Sequence, residues 1–164
     1  MKPHRWINVL VGMVIVISFT LWSPKAALAA SCSGYGCDGK DPYATGCAGA
    51  GASYRVIDMR YVYNEYRSIV GYVQLWWSDT CKTNWARAVR TVSYGTTYYT
   101  HAHIFRDNNW NRVIDNTDTR YDTWVRGATA VYTRMVYAPV LLAQACGGLD
   151  TDAVYDYQSC TDWR

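Results

Sequence analysis

Two histidines are the first residues whose side chains could bind a metal. His101 and His103 are two residues apart, so in a β-strand their imidazoles point to the same face. Two imidazoles on one face begin a zinc site, but zinc requires a third ligand. Asp107 or Asp115 would supply it only if the fold brings one of them close. The alternative is a pair of surface or half-buried histidines without a metal.

A polar run after the histidines resembles a calcium-binding loop. Asp107, Asn109 and Asn111 would place oxygen ligands at loop positions 1, 3 and 5, and Asp118 stands at position 12. Arg112 occupies the position that requires glycine in such loops. We therefore favour a polar hairpin loop, assign no metal ligands, and leave open whether either feature binds a metal.

The sequence gives little support for catalysis or for a bound cofactor. Residues 34–39 match G-x-G-x-x-G, but a nucleotide fingerprint needs a strand before it and a helix after it. Here Asp41-Pro42 follows, which starts a turn. There is no G-x-S-x-G motif, and Glu65 is the only glutamate. We assign no catalytic residue and expect no cofactor.

Aromatic residues are the strongest remaining signal for function. The chain has 15 Tyr, 8 Trp and only 2 Phe. Neighbours in a strand face opposite sides, so one ring of each consecutive pair points away from the core. Exposed rings form flat amphipathic surfaces that suit a ligand, although Tyr and Trp also fill sheet faces without one. The predicted ligand-binding residues are Trp76, Trp77, Tyr98, Tyr99 and Trp110.

Six cysteines indicate an oxidising compartment. An even number in an exported chain predicts three disulfides, and six cysteines allow 15 pairings. The isolated C-terminal pair favours Cys146–Cys160, and the others favour Cys32–Cys37 with Cys47–Cys81. Their spacing contains no paired C-x2-C, so zinc is not the expected role of these cysteines.

The first 29 residues read as a secretory signal peptide. A basic start is followed by an apolar run over 9–22 that is shorter than a membrane span, and then by an Ala-Leu-Ala site before residue 30. Two alternatives stay open. The segment could be retained as an anchor, or Cys32 could be the lipidated residue of a lipoprotein. We expect a secreted, extracellular protein that is free or associated with the cell surface, without a membrane span after cleavage.

Charge argues against a nucleic-acid partner. The formal net charge is +3, with 16 basic and 13 acidic residues. Lys2, Arg5 and Lys25 leave with the leader, so the remaining basic and acidic residues are equal in number. A neutral exported chain lacks the basic surface that binds DNA or RNA.

The rest of the chain follows a period-two pattern rich in Val, Tyr, Thr and Trp, which is typical of strands. It predicts strands over 55–63, 71–77, 85–93, 97–105, 112–115, 121–126 and 130–137. Residues 141–145 fit either a short helix or an extended segment. We predict an all-β fold, a small antiparallel sandwich or barrel of about 6–7 strands held by disulfides, with a Cys/Gly-rich N-terminal loop region. Residues 30–164 form one domain, in which 138–164 is a C-terminal extension with its own Cys pair.

Three stretches together resemble a known family. They are the Cys-rich 32–47, the segment 73–87 with Trp76-Trp77 and Trp85-Ala86-Arg87, and 132–136. They resemble the bacterial domain of unknown function 2690, found in secreted and envelope proteins. Trp77-Ser78-Asp79 stands where that family usually has Tyr-Ser-Pro before the central cysteine. The resemblance implies no catalytic residues, because the family has no assigned reaction.

These observations favour a non-catalytic extracellular binding module, with a cell-surface glycan or protein as its partner. The alternatives are a small secreted hydrolase and an extracellular structural or toxin-like protein. A concave pocket holding His101 or His103 with a carboxylate would favour the enzyme. A flat aromatic strip would favour binding. The sequence does not define the ligand or the oligomeric state.

Overall fold

The computed structural model describes residues 29–93, 98–139, 141–150 and 156–164. Most of the expected signal peptide lies outside these residues. The described parts contain eight strands, a short 3₁₀ helix (Gly34–Cys37) and no α-helix. The strands are β1 (Tyr54–Tyr63), β2 (Ile69–Ser78), β3 (Thr83–Arg90), β4 (Tyr99–Asp107), β5 (Thr119–Arg126), β6 (Ala130–Tyr132), β7 (Leu142–Asp150) and β8 (Asp156–Cys160). The all-β prediction is confirmed, with eight strands rather than six or seven.

Two four-stranded antiparallel sheets make up the fold. The first has the order β1-β2-β3-β6 and the second the order β5-β4-β7-β8. Strand β4 is central because it pairs with β5 on one side and with β7 on the other. The segment expected as a C-terminal extension therefore supplies two of the four strands of the second sheet.

The sheets pack closely because small residues line their facing sides. The shared core is formed by apolar residues of both sheets, among them Val73, Leu75, Ala88, Ala102 and Ala145. A Cβ added at Gly147 would lie 2.9 Å from Ala88 Cβ and 2.8 Å from the His101 carbonyl oxygen. A side chain at that position would force the sheets apart, because such contacts are shorter than real packing distances.

Five of the seven predicted strands match an observed strand to within three residues at each end, and two were wrong in part or whole. The predicted strand 112–115 is an irregular loop in the structure. The predicted strand 130–137 stops at Tyr132, after which Val136 makes only an isolated bridge to Asn84. The ambiguous segment 141–145 is extended and begins β7. Strand β8 was not predicted.

The three disulfides have the predicted pairing. Cys32 is bonded to Cys37, Cys47 to Cys81, and Cys146 to Cys160. The first lies within the N-terminal loop region, and the second joins this region to the turn between β2 and β3. The loop region covers the outer face of the first sheet over the buried Trp85. The third joins directly paired residues of β7 and β8. Because Cys32 is bridged, its sulfur is not free to carry a lipid in this form.

No helix in the described part of the chain is long and apolar enough to span a membrane.

Candidate functional site

An open cavity lies between the two sheets at one end of the sandwich. Its volume is about 330 Å³, which falls in the size range of small-ligand sites. It is lined by residues from β1, β2, β3, β7, the β6–β7 connection and the C-terminal segment. The lining residues are Arg55, Ile57, Trp77, Asn84, Ala138, Pro139, Leu141, Leu142 and Arg164. We call this space the end cavity.

Trp77 is the aromatic wall of the end cavity, and its position follows from strand alternation. Trp76 and Trp77 face opposite sides of β2, so one ring points to the inner side of the first sheet and the other to the outer side. The Trp77 indole Nε1 donates a hydrogen bond to Asp79 Oδ1 at 2.8 Å. The ring is therefore held in one orientation before any ligand arrives, which lowers the entropy lost on binding.

Asp79 also accepts a hydrogen bond from Arg55 in a short ion pair. The Trp77 hydrogen bond first, and then the Arg55 charge, hold the pKa of Asp79 below its usual value. The carboxylate is thus ionised at neutral pH and offsets the charge of Arg55. At the other side of the rim, Arg164 Nε lies 3.3 Å from Asp58 Oδ2. Both cavity arginines are therefore paired, which favours an uncharged ligand.

Asn84 places an unused acceptor in the wall of the cavity. The residue is 2% exposed, and its amide Nδ2 donates to the Trp76 carbonyl oxygen at 3.1 Å. Its Oδ1 atom is buried and has no hydrogen-bond partner in the described structure. A buried unpaired acceptor costs about 1–3 kcal/mol, so a ligand donor that reaches Oδ1 through a shift of the Asn84 side chain would be bound with advantage.

The structure does not bring all five predicted aromatic residues together. Trp76 packs on the outer side of the first sheet, where its ring stacks on Trp85 at 5.9 Å and 10°. Tyr98 and Tyr99 are half-buried and lie at the start of β4. Trp110, which is 55% exposed, lies in the loop that follows the other end of β4. Tyr99 and Asp107 are the two ends of the nine-residue strand β4, which places them roughly 27 Å apart.

Trp110 and Trp77 thus lie toward the same end of the sandwich, because Asp107 pairs with Leu142 of the cavity wall. A single flat strip over all five residues is not present in this arrangement. Their role as ligand contacts stays a prediction, and Trp77 is the member placed in a concave site. The sequence analysis did not predict Asn84 as a site residue, because nothing in the sequence distinguishes it from an ordinary polar residue of a strand.

The two histidines do share a face, and they join a chain of hydrogen bonds. His103 Nδ1 lies 2.6 Å from Asp122 Oδ1, and His103 Nε2 lies 2.9 Å from His101 Nδ1. A carboxylate only accepts, so Nδ1 of His103 donates to it and Nε2 accepts from His101 when both rings are neutral. Of the predicted carboxylate partners, Asp107 is the last residue of β4 and Asp115 lies in the loop after it, whereas the carboxylate bonded to His103 is that of Asp122.

Burial limits what the histidines can do. His101 is fully buried and His103 is 4% exposed. The His101 ring stacks on Trp124 at 4.4 Å, and Trp124 also meets the edge of His103. Neither histidine lines the end cavity. The cluster therefore positions β4 against β5 and offers no open site for a substrate.

We predict that Asp122 makes folding sensitive to acid. Partial burial opposes its ionisation, but hydrogen bonds from Arg120 and His103 outweigh this and lower the pKa of its carboxyl. A pKa that is lower in the folded chain stabilises the fold above the ordinary value near 3.8 and loses that effect as pH falls. The Asp122→Asn variant should lose less unfolding free energy than the wild type between pH 5 and pH 2. Urea unfolding across this range measures it, and equal slopes would contradict the assignment.

The polar loop after β4 is organised by its own carboxylates. Asp107 is fully buried and accepts hydrogen bonds from the backbone N–H groups of Asn109, Trp110 and Arg112 at 2.6–3.0 Å. Hydrogen bonds from the Thr117 side chain and backbone lower the pKa of Asp115. Since these oxygens already accept protein donors, the loop has the form of a polar hairpin connection.

A second groove runs between the edge strands β5 and β6. Its volume is about 370 Å³, and its wall includes Thr123, Val125, Tyr132 and Arg134. The Tyr132 hydroxyl donates to Asp41 Oδ2 at 3.2 Å. Burial and this carboxylate raise the pKa of Tyr132. In this groove the Tyr132 hydroxyl is paired, whereas the wall of the end cavity contains the unpaired acceptor of Asn84.

Fold and site together define a disulfide-linked β-sandwich with an open, largely apolar cavity between its sheets. The family described as protein of unknown function (DUF2690) matches residues 35–146, and the chain belongs to it. The matched residues include the N-terminal loop region and the strands up to the middle of β7. The resemblance of the sequence motifs is thereby confirmed.

One curated relative is the protein named Uncharacterized protein YjfA of Bacillus subtilis (strain 168). It is 31% identical over 100 residues, which cover 61% of this chain and 62% of the relative. The chain thus spans less than two thirds of that relative's length. No solved structure matches the chain.

Proposed function

We propose that this protein is a non-catalytic extracellular binding module that holds an uncharged segment of a cell-surface polymer or protein in the end cavity. The buried acceptor of Asn84 beside the Trp77 ring carries the proposal. A ligand that fits them has an N–H or O–H donor next to an apolar face. Amide groups of peptides or acetylated sugars have this chemistry.

The electrostatics of the rim support an uncharged ligand. Arg55 is paired with Asp79, and Arg164 lies near both Asp58 and Asp162. The charges of both arginines are already offset by carboxylates, so an anionic ligand would gain little from them at this solvent-exposed rim. Binding energy would then come from stacking on Trp77 and from the hydrogen bond to Asn84.

Three disulfides support the export that the proposal includes, since such bonds persist in oxidising environments. The leader-like start of the sequence points the same way, although most of it lies outside the described residues. Export would place the end cavity where surface glycans and proteins are available.

The test compares Trp77→Ala with a matched aromatic variant. Tyr66→Ala is a suitable control because Tyr66 is 80% exposed and lies in the β1–β2 turn, beyond the opposite end of β1 from Arg55 and Ile57. Oxidised protein is incubated with purified cell-wall polymer, an acetylated glycan array and intact cells, and bound protein is quantified. Trp77→Ala should weaken binding about 30-fold, the value for a binding hot spot of about 2 kcal/mol.

An Asn84→Ala variant then tests the acceptor directly. This variant should weaken ligand binding. Its thermal midpoint should fall less than that of a core truncation, because the Oδ1 atom that is lost has no hydrogen-bond partner in the free protein. The end cavity would not be the binding site if the ligand still bound Trp77→Ala and Asn84→Ala but no longer bound Tyr66→Ala. No binding of the wild type to any of these materials would contradict the binding function.

A further inference from the structure

The outer face of the first sheet is covered only in part by the N-terminal loop region. Val73, Ala88 and Val131 belong to the core between the sheets, so the residues next to them along β2, β3 and β6 point outward. The loop region packs over one group of these outward residues, which includes Trp76 and Trp85. A second group of outward residues is half-buried or exposed, and we call it the tyrosine face. It consists of Met59, Tyr61, Tyr72, Gln74, Arg87 and Tyr132.

Strand register brings the tyrosine face together as two adjacent rows. Tyr61 lies directly opposite Tyr72 in the pairing of β1 with β2. The second row crosses all four strands of the sheet and contains Met59, Gln74, Arg87 and Tyr132. Directly paired residues share one side of a sheet, with Cβ atoms about 4.5–5.5 Å apart. The tyrosine face is therefore a continuous, open surface and not a pocket.

The uncharged side chains of the tyrosine face suit a sugar chain. Tyr61 is 45% exposed and Tyr132 is 37% exposed. The face of a tyrosine ring is electron-rich and attracts the C–H groups of a pyranose, while the phenolic hydroxyl hydrogen-bonds to the sugar OH groups. Gln74 Oε1 accepts a hydrogen bond from Trp76 Nε1 at 3.2 Å. The Gln74 NH₂ group has no partner within the described part of the chain and is left to donate to a ligand.

Arg87 gives the tyrosine face its only charge. The guanidinium Nη1 lies 3.4 Å from Gln74 Oε1, and Arg87 has no ion pair with any described residue. The carboxylate of Asp41, at the margin of the face, accepts hydrogen bonds from the Tyr132 hydroxyl and from two backbone N–H groups. The donors of Arg87 therefore fit a carboxylate of the ligand, because a guanidinium can bind both carboxylate oxygens at once.

The size of the tyrosine face argues against a folded protein as the ligand. The face spans three gaps between strands, of about 4.8 Å each, and one step of two residues along β1, about 7 Å. Its area is thus on the order of 100–200 Å², whereas a stable protein interface buries about 800 Å² on each partner. A narrow extended chain can use an area of this size fully.

We propose that the tyrosine face binds an extended polysaccharide containing hexuronic acids, with pyranose rings against the tyrosines and a carboxylate on Arg87. This site lies on the opposite side of the first sheet from the end cavity, because Trp77 alternates with Trp76 along β2. It is independent of the proposed function, since the two sites take ligands of different charge and either can be lost without the other.

The test titrates the oxidised full chain with polygalacturonate in a calorimeter at low salt. The matched ligand is the fully methyl-esterified polymer, which has the same pyranose chain without charge. We expect the acidic polymer to bind at least about 10-fold more tightly than the ester, since only the acid pairs with Arg87. Arg87→Gln should remove this difference and leave binding of the ester unchanged. Tyr61→Ala should weaken binding of both polymers about 10-fold.

Two control variants change similar residue types outside the tyrosine face. Arg112→Gln removes an exposed positive charge and Trp110→Ala removes an exposed ring, both in the loop after β4, so neither should alter binding. Trp77→Ala should also bind polygalacturonate as the wild type does. This result separates a failure of the tyrosine face from a failure of the end cavity.

Three outcomes would overturn the proposal. The first is that the wild type does not bind polygalacturonate. The second is that Arg112→Gln weakens binding as much as Arg87→Gln, because net charge rather than the tyrosine face would then hold the polymer. The third is a sedimentation coefficient that falls from that of a dimer to that of a monomer in Tyr61→Ala, because the face would then join two copies of the chain.

Discussion

Replacing Asp38 with alanine is expected to lower the unfolding free energy by about 3–5 kcal/mol. Asp38 Oδ2 accepts a hydrogen bond from Arg106 NH1 at 2.5 Å, and Arg106 is only 9% exposed. Asp38 Oδ1 accepts the backbone N–H of Tyr137. The variant leaves a buried guanidinium without a carboxylate and a backbone donor without an acceptor. The first loss acts on the contact of the N-terminal loop region with β4, and the second on its contact with the connection between β6 and β7.

An exposed pair of the same residue types provides the control. Arg60 NH2 lies 2.6 Å from Asp162 Oδ2, with side chains that are 39% and 60% exposed. Solvent screens this pair, so Asp162→Ala should change stability by no more than about 1 kcal/mol. Urea unfolding at pH 7 compares the two variants. The account of Asp38 is wrong if they differ by less than their experimental error.

Adding Arg106→Met to Asp38→Ala should recover part of the loss. The double variant removes the unpaired charge and keeps an apolar chain of similar length in the buried site. Arg106 also donates to Asn108 Oδ1 and Thr119 Oγ1, so recovery should be incomplete. Comparing the single and double variants separates the cost of leaving the Arg106 guanidinium unpaired from the cost of the lost hydrogen bonds. A double variant less stable than Asp38→Ala would show that these other contacts dominate.

Strands with regular alternation were predictable because their period depends only on local sequence. The segment 141–145, which begins β7, was ambiguous because periodicity does not distinguish a helix from a strand over so short a length. The second half of β7 contains Gly147 and Gly148, which weaken strand propensity. The structure shows why glycine is present there. A Cβ at Gly148 would collide with the Tyr157 carbonyl oxygen of β8, and one at Gly147 with the facing sheet. Tertiary packing, which no local pattern reports, overrides propensity in this strand.

The false strand at 112–115 has an equally specific cause. Val113 and Ile114 suggest an extended segment, but the Asp107 carboxylate takes the N–H groups of three later residues. These bonds wind the chain into a turn in which Trp110 and Arg112 have positive φ values of 64° and 58°. A buried acceptor before the segment therefore decided its conformation.

The candidate site was predictable only in part, because it depends on register and on distant segments. Strand alternation correctly put His101 and His103 on one face, but Asp122 joins them only because it pairs with His103 across β4 and β5. Trp77 was predicted as a ligand contact from composition. The end cavity around it also needs Asn84, which pairs with Trp77 across β2 and β3, and Leu142 and Arg164, which adjoin it only after the two sheets pack.

Removing the Cys47–Cys81 disulfide by a double alanine substitution should destabilise the protein by about 4 kcal/mol. The bond closes a loop of 34 residues, and the chain-entropy estimate for that length is near this value. The Cys32–Cys37 disulfide closes only 5 residues, for which the same estimate is about 2 kcal/mol. Urea unfolding under non-reducing conditions should therefore rank the two double variants in this order.

The location of the Cys47–Cys81 disulfide also predicts that its loss is the more destabilising of the two. Cys47 and Cys81 are both fully buried, and the bond ties the N-terminal loop region to the turn between β2 and β3. Ser78, the last residue of β2, adds a hydrogen bond from its hydroxyl to the Cys47 carbonyl oxygen at 2.7 Å. Without the disulfide, this contact and the packing over Trp85 must hold the loop region alone. If both double variants lost the same stability, the loop region would be held by its packing on Trp85, and the length of the closed loop would be irrelevant.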